Sequence, residues 1–320
     1  MNKKGFEANF AVIFSIIVGA IILFIAIYAA MRFVNTGSSV EASTITKELT
    51  IVFNPMETGL ASGIKPLPIT FKDEVKIYDD CYNDNDFGYQ KFAISLKKFN
   101  KWSEKNPGQK ITNKYVFSDK VEQGKTMYYF SKPFEMPFKV SEIIFLTTKN
   151  YCLQNTPEFI QDEIGPNGLE LENIKFDNCS SSDIKVCFEG GVGCDINVYG
   201  LCSDCGSDYE QYEYGKVVKS NSSVYYYKNL LYGAIFSDSI TYECNVKRLM
   251  KRIDSQASLY AKESDLLSAK DCGAVDSITL NNFGSSASRL TNSKTLVEPL
   301  FIEEINNLED KNKGTSCELW

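Results

Sequence analysis

Ten cysteines and no histidine set the chemistry open to this chain of 320 residues. Histidine is the commonest general base and metal ligand, so histidine triads and histidine zinc sites are excluded. Acid–base work would fall to Asp, Glu, Lys or Tyr, and binding or structure is favoured over catalysis. Cys179, Cys187, Cys194, Cys202 and Cys205 crowd one glycine-rich stretch. Cys202 and Cys205 have the spacing of a redox or metal pair. A structural zinc site would add a second close pair, and a thioredoxin-like motif would need a strand before it and a helix after it. The stretch therefore reads as a disulfide-stapled loop region, with no metal and no cofactor expected. Cys81, Cys152, Cys244, Cys272 and Cys317 complete the expected disulfide set. Cys81 with Cys152 and Cys244 with Cys272 are candidate bridges, and Cys317 would pin the C-terminus to the body or to another chain.

Three other clusters have a sharp and a plain reading. Asp79, Asp80, Asp84 and Asp86 surround Cys81 with Asn83, Asn85 and Gly88, a dense set of hard oxygen donors. They fall out of EF-hand register and read as a solvated acidic turn. The tyrosines between Tyr199 and Tyr232, including Tyr225, Tyr226 and Tyr227, would suit a contact surface but read first as sheet residues. Lys247, Arg248, Lys251 and Arg252 form a basic stripe on a helical segment and read as a solvated face or a contact with lipid headgroups. Setting aside Lys3, Lys4, Arg32 and Glu7, the chain carries 31 basic and 40 acidic residues, which disfavours phosphate backbones. No nucleic-acid partner is expected. There is no phosphate loop, dinucleotide fingerprint or GxSxG turn, and an enzyme is not expected.

The elements that must carry these residues start with an apolar run. From Phe10 to Met31 the chain is uncharged and dominated by Ile, Phe, Ala, Val and Leu. At about 1.5 Å per residue this run is predicted to be a transmembrane helix spanning a core of about 30 Å. Lys3 and Lys4 put its N-terminus (1–9) in the cytoplasm, and the rest of the chain outside it. All ten cysteines follow the run, in keeping with a compartment where disulfides persist. The expected location is therefore the cell membrane, single-pass, with the bilayer, other envelope proteins or copies of the chain itself as partners.

The leading segment Met1-Asn2-Lys3-Lys4-Gly5-Phe6-Glu7, followed at once by the apolar run, resembles an archaeal class III signal peptide, the leader of type IV pilin-like proteins. The resemblance covers about thirty residues. It implies cleavage between Gly5 and Phe6, an apolar helix retained on the mature protein, and packing of that helix against its copies. Phe10 stands where bacterial-type pilins carry Glu. The whole chain also resembles single-pass archaeal membrane proteins, which implies no activity.

Beyond the run, Asn35 to Ser39 reads as a polar break, and Ile45, Leu49, Val52 and Phe53 as a short helix ended by Asn54-Pro55, within a juxtamembrane segment 32–64. Residues 65–236 alternate short β-like runs with turns and lack long intervening helices, which predicts mostly antiparallel pairing. The segment 237–320 is predicted helical: Tyr242, Val246, Leu249, Ile253, Ala257 and Tyr260 step by three and four after a cap at Ser237 or Asp238. A last helix is expected around Leu300 to Leu308, with Pro299 in its first turn. The expected class is α+β: a transmembrane helix, a disulfide-stapled β ectodomain and helices packed on it.

Overall fold

The computed structural model describes residues 10–59, 65–84, 87–202, 206–220 and 222–320. Its first element, α1 (Phe10–Glu57), is one continuous helix of 48 residues. The polar stretch expected to break it does not. Just beyond it, the hydroxyls of Ser43, Thr44 and Thr46 donate back to the carbonyls of Ser39, Val40 and Ala42 at 2.9, 3.1 and 2.7 Å within the helix. A single Gly37 costs about 1 kcal/mol, too little to end a helix held elsewhere by packing. Pro55 lies inside the last turn, and the helix ends at Glu57.

The transmembrane expectation over 10–31 is corrected. Among the described residues, no helix is long and apolar enough to cross a membrane. The backbone continues as helix from the apolar run into the polar, sheet-packed part of α1.

The first sheet holds β1 (Ile69–Tyr82), β2 (Tyr89–Lys98), β3 (Lys101–Trp102), β4 (Gln109–Ile111), β5 (Tyr115–Phe117), β6 (Val121–Glu135) and β7 (Lys139–Thr147). The strand order is β3-β2-β1-β6-β7-β5, with β4 also paired to β2. Its pairs are antiparallel except β5 on β7. Period-two alternation sends the two faces into different layers. Val116, Ile144 and Leu146 join Leu49, Phe53 and Met56 of α1 in one apolar cluster. Tyr115, Phe117, Ile143 and Phe145 join the larger cluster on the opposite face. β7 is thus buried on both sides from Val140 to Thr147.

The second sheet runs β13-β12-β11-β10-β8-β9, built from β8 (Tyr151–Gln154), β9 (Ile174–Phe176), β10 (Ile184–Phe188), β11 (Ile196–Gly200), β12 (Tyr214–Lys219) and β13 (Ser222–Tyr227). Here the antiparallel expectation is corrected, because β9, β8, β10 and β11 are parallel. Parallel strands need a return path, which the sequence was not expected to supply. The helix α2 (Glu158–Ile164) and its following turns return the chain between β8 and β9. Residues 189–195 return it between β10 and β11 without any helix, using positive φ at Gly190 and Gly193 (82° and 84°). A disulfide between Cys187 and Cys194 ties this short return to its strand.

The remaining helices are α3 (Asp208–Gln211), α4 (Leu230–Phe236), α5 (Ser239–Ser268), α6 (Ser277–Ser288) and α7 (Pro299–Lys313). Asp238 caps α5, accepting from the amides of Ile240 and Thr241 at 2.8 and 2.9 Å. Tyr242, Val246, Leu249, Ile253 and Ala257 turn inward from α5. Every residue of α4 is buried. At Gly233 a Cβ would meet the Phe117 ring at 2.6 Å, so only glycine lets this helix lie so close to β5.

Among the described residues, disulfides join Cys81 to Cys244, Cys152 to Cys179, Cys187 to Cys194 and Cys272 to Cys317. They replace the candidate pairs Cys81–Cys152 and Cys244–Cys272: the acidic turn and the start of α5 meet in space, 163 residues apart in sequence. Cys202 is also disulfide-bonded, and Cys205 lies outside the described residues.

Candidate functional site

Two halves of α1 have opposite surroundings. In the second half, Ser38, Ala42, Thr46, Leu49, Phe53 and Met56 are buried at steps of three and four, and pack on β2, β4 and β7. Phe53 meets Phe92 edge-on, with ring centroids 5.7 Å apart. Ion pairs of Lys114 with Glu57 at 2.6 Å, and of Lys98 with Glu41, flank this seam. In the first half, Ile16, Ile17, Ile21, Ile22, Leu23, Phe24, Ile25 and Ile27 are all exposed, Phe24 by 71%. Five consecutive positions from Ile21 to Ile25 cover every direction around a helix of 3.6 residues per turn. A Cβ added at Gly19 would meet nothing within 4 Å. The helix is therefore an apolar arm on a folded head, and water is a poor environment for it: contiguous apolar surface of this extent marks an interaction site.

Inside the head, a polar network locks α5 to the first sheet. The Gln90 side chain accepts from the Val116 amide at 2.9 Å and donates to the Val116 carbonyl at 2.7 Å, sealing the edge of β5. Gln90 also donates to both Asp79 oxygens, at 2.9 and 2.8 Å, and the Ser118 hydroxyl donates to Asp79 Oδ2 at 2.9 Å. From α5, Asn245 donates to the Val116 carbonyl at 2.7 Å, while Arg248 donates to Gln90 Oε1 at 3.0 Å and Asn245 Oδ1 at 2.8 Å. Burial pushes the Asp79 carboxyl up to about 7 against the bonds from Ser118 and Gln90, which favour its charged form. The network thus corrects two expectations. Arg248 is wholly buried and Arg252 donates to the Val140 carbonyl at 2.8 Å, so the basic stripe is not a solvated face. Asp79 is a buried strand residue, and Asp80 pairs with Lys105 at 2.6 Å, so the acidic turn is not uniformly solvated. Asp86 lies outside the described residues. Among the described residues, no cluster of three or more Cys, Asp or Glu is placed to hold a metal ion.

A concave feature lies where β6, α2, α3 and α4 meet. Its cavity, about 150 Å³, is lined by Glu135, Phe159, Glu163, Tyr209, Lys228 and Tyr232 among others. The buried Tyr232 hydroxyl donates to Glu163, which also pairs with Lys132 at 3.2 Å. Burial holds the Tyr232 hydroxyl well above its ordinary range, so it stays protonated as a donor. Phe159 and Tyr209 stand edge to face at 5.3 Å. The cavity has the size and mixed lining of a pocket for a small polar group, but its Glu163 carboxylate is already bonded to Tyr232 and Lys132.

Of the tyrosines singled out in the sequence, Tyr212, Tyr226, Tyr227 and Tyr232 are core residues and Tyr209 is exposed. Gly5 and Phe6, the residues of the processing site, lie outside the described residues. The buried carboxylate of Glu122, which accepts from the Thr148 amide and hydroxyl at 2.8 and 2.7 Å, has no signature in the sequence beyond its place in a strand. Comparison with protein-family models, with curated proteins and with solved structures finds no match.

Proposed function

We propose that the chain is a subunit of a pilin-like assembly outside the cytoplasm, cleaved after Gly5, in which the arm of α1 packs against the arms of neighbouring copies. The observation that carries this reading is the division of one continuous helix. Its second half is fixed to the head by Leu49, Phe53 and Met56, and its first half exposes Ile16 to Ile27 on every side. A helix that is apolar all round is stable in water only when it is enclosed. Identical arms held at one end by identical heads supply such an enclosure through side-by-side packing, and repetition of a heterologous contact produces a filament. The disulfides support an oxidising compartment. The leader with Lys3, Lys4, Gly5 and Phe6 supplies the expected processing signal.

The test uses the full chain. Intact mass of the mature protein should correspond to a start at Phe6, and negative-stain images of the detergent-depleted protein should show particles with a regular axial repeat. Ile22→Asn with Phe24→Asn should abolish them. A wild-type chain that stays monomeric, or clumps without any repeat, would sink the proposal. The second reading is an envelope protein that binds a small ligand through its head. It rests on the cavity beside Tyr232 and predicts a monomer whose arm variants keep full function.

A further inference from the structure

The cavity where β6, α2, α3 and α4 meet has a lining that suits one class of ligand. Its aromatic side chains are Phe159 from α2, Tyr209 and Tyr212 from α3 and the residue after it, and Tyr232 from α4. Its carboxylates are Glu135, Glu163 and Glu213. Ring faces and carboxylates both attract positive charge, and here they converge. Burial first, and then the charges of Glu213, Glu163 and Glu135, raise the Tyr209 hydroxyl above its ordinary value, so all three acids bear on this ring. The lysines nearby do not cancel them. Lys132 pairs with Glu163 at 3.2 Å, and Lys228 lies 3.8 Å from Glu213. Glu135 is exposed and pairs with no cation among the described residues, so three acids against two lysines leave a charge of minus one.

We infer that this cavity is a binding site for a quaternary ammonium group. The inference rests on the second reading above, in which the cavity takes a small ligand, and is independent of assembly. The volume, about 150 Å³, is one that accepts a benzene-sized molecule, and a tetramethylammonium group is of that size. The choice among cations follows from the acceptors. A primary ammonium carries three N–H donors, each of which needs an acceptor once water is stripped away. Glu163 and Glu213 already serve Tyr232, Lys132 and Lys228, so such acceptors are short. A quaternary ammonium donates nothing and is held by ring faces beside a negative charge, which Tyr209, Phe159 and Glu135 supply.

The probe is choline, titrated calorimetrically into the full chain beside dimethylbutanol, its uncharged carbon isostere. Choline should fill one site per chain, and the isostere should bind at least tenfold more weakly. Tyr209→Ala should weaken choline at least tenfold, while Tyr209→Phe, which keeps the ring, should bind as wild type does. Glu135→Gln should weaken choline several-fold and leave the isostere unchanged. Tyr209 and Glu135 are exposed, so the melting temperature should stay the same in all three variants. Sedimentation with phosphatidylcholine vesicles, competed by choline, would place the group on a lipid headgroup; choline binding without sedimentation would place it on a free small molecule. Equal affinity for choline and the isostere, with both lost in Tyr209→Ala, would overturn the ammonium site and leave the ligand cavity standing. Binding of neither compound, or binding that Tyr209→Ala does not change, would overturn both.

Discussion

At the scale of single residues, Asp79 shows how the head couples burial to protonation. Its carboxyl has one polar partner on β2, one beyond β5, and the Arg248 charge nearby, yet loss of water dominates and raises its proton affinity to about 7. In the unfolded chain the same group titrates near 3.8. Between these two values the folded state binds the proton and the unfolded state does not, so stability falls as pH rises through that window and levels off above about 7. Asp79→Asn keeps an acceptor for Gln90 and presents an N–H to the Ser118 hydroxyl, as the protonated acid does. The variant should melt higher than wild type at pH 8 and close to it at pH 4. Melting curves across pH 4 to 8 by circular dichroism check this, and equal differences at both ends would refute it. Arg248 has a different role. It satisfies Phe87, Gln90 and Asn245 at once, so Arg248→Met should destabilise the head by about 3 to 5 kcal/mol, since several buried acceptors lose their donor together. Urea denaturation measures that loss directly.

At the scale of elements, the two halves of α1 should answer to mutation in opposite ways. Phe53→Ala empties a site enclosed by Phe92 and its neighbours and should cost the head about 3 to 5 kcal/mol in urea denaturation. Ile22→Asn, in the arm, should leave the head's urea midpoint unchanged and alter only association. Equal effects on the head would deny the division of the helix. Part of this element was legible: Leu49 and Phe53 announced a helical face, and the apolar run announced a helix, though not the membrane span expected of it. Its continuity was not, because the helix on the far side of Asn35 to Ser39 is held by packing on the first sheet, from Ser38 and Ala42 to Met56, which outweighs local propensity. The long helix α5 and its Asp238 cap were readable from period and capping chemistry. The helix α4 was not, since it is buried all round and such a segment carries no amphipathic period. The parallel pairs of the second sheet were hidden for a related reason. Their return paths are turns and one short helix. The meeting of Arg248 with Gln90 is hidden too, because it comes from the packing of α5 on the first sheet, 158 residues apart, whereas Asp79 and Gln90 are neighbours across the β1–β2 pair.

At the scale of the whole molecule, the disulfides divide into long-range and local staples, and polymer entropy says which matter. Cys81–Cys244 joins the first sheet to α5 across 163 residues, while Cys187–Cys194 closes a loop across 7. Loop-closure entropy in the unfolded chain grows with the logarithm of loop length, giving about 5 kcal/mol for the first bridge and about 2 kcal/mol for the second. The bridges Cys152–Cys179 and Cys187–Cys194 lie within the larger loop and shorten it, but a logarithm makes that correction small. The long bridge also fastens the acidic turn to the same helix that Asn245 and Arg248 hold, so covalent and hydrogen-bonded links secure one seam. Replacing both partners with serine should therefore lower the urea midpoint about twice as far for Cys81→Ser with Cys244→Ser as for Cys187→Ser with Cys194→Ser. The slope of unfolding against urea should rise in the first case, because the freed chain exposes more surface when it unfolds. Equal midpoint shifts would mean that the bridges act through local contacts in the folded head, and that the seam between β1 and α5 is held by the Asp79–Gln90–Arg248 network alone.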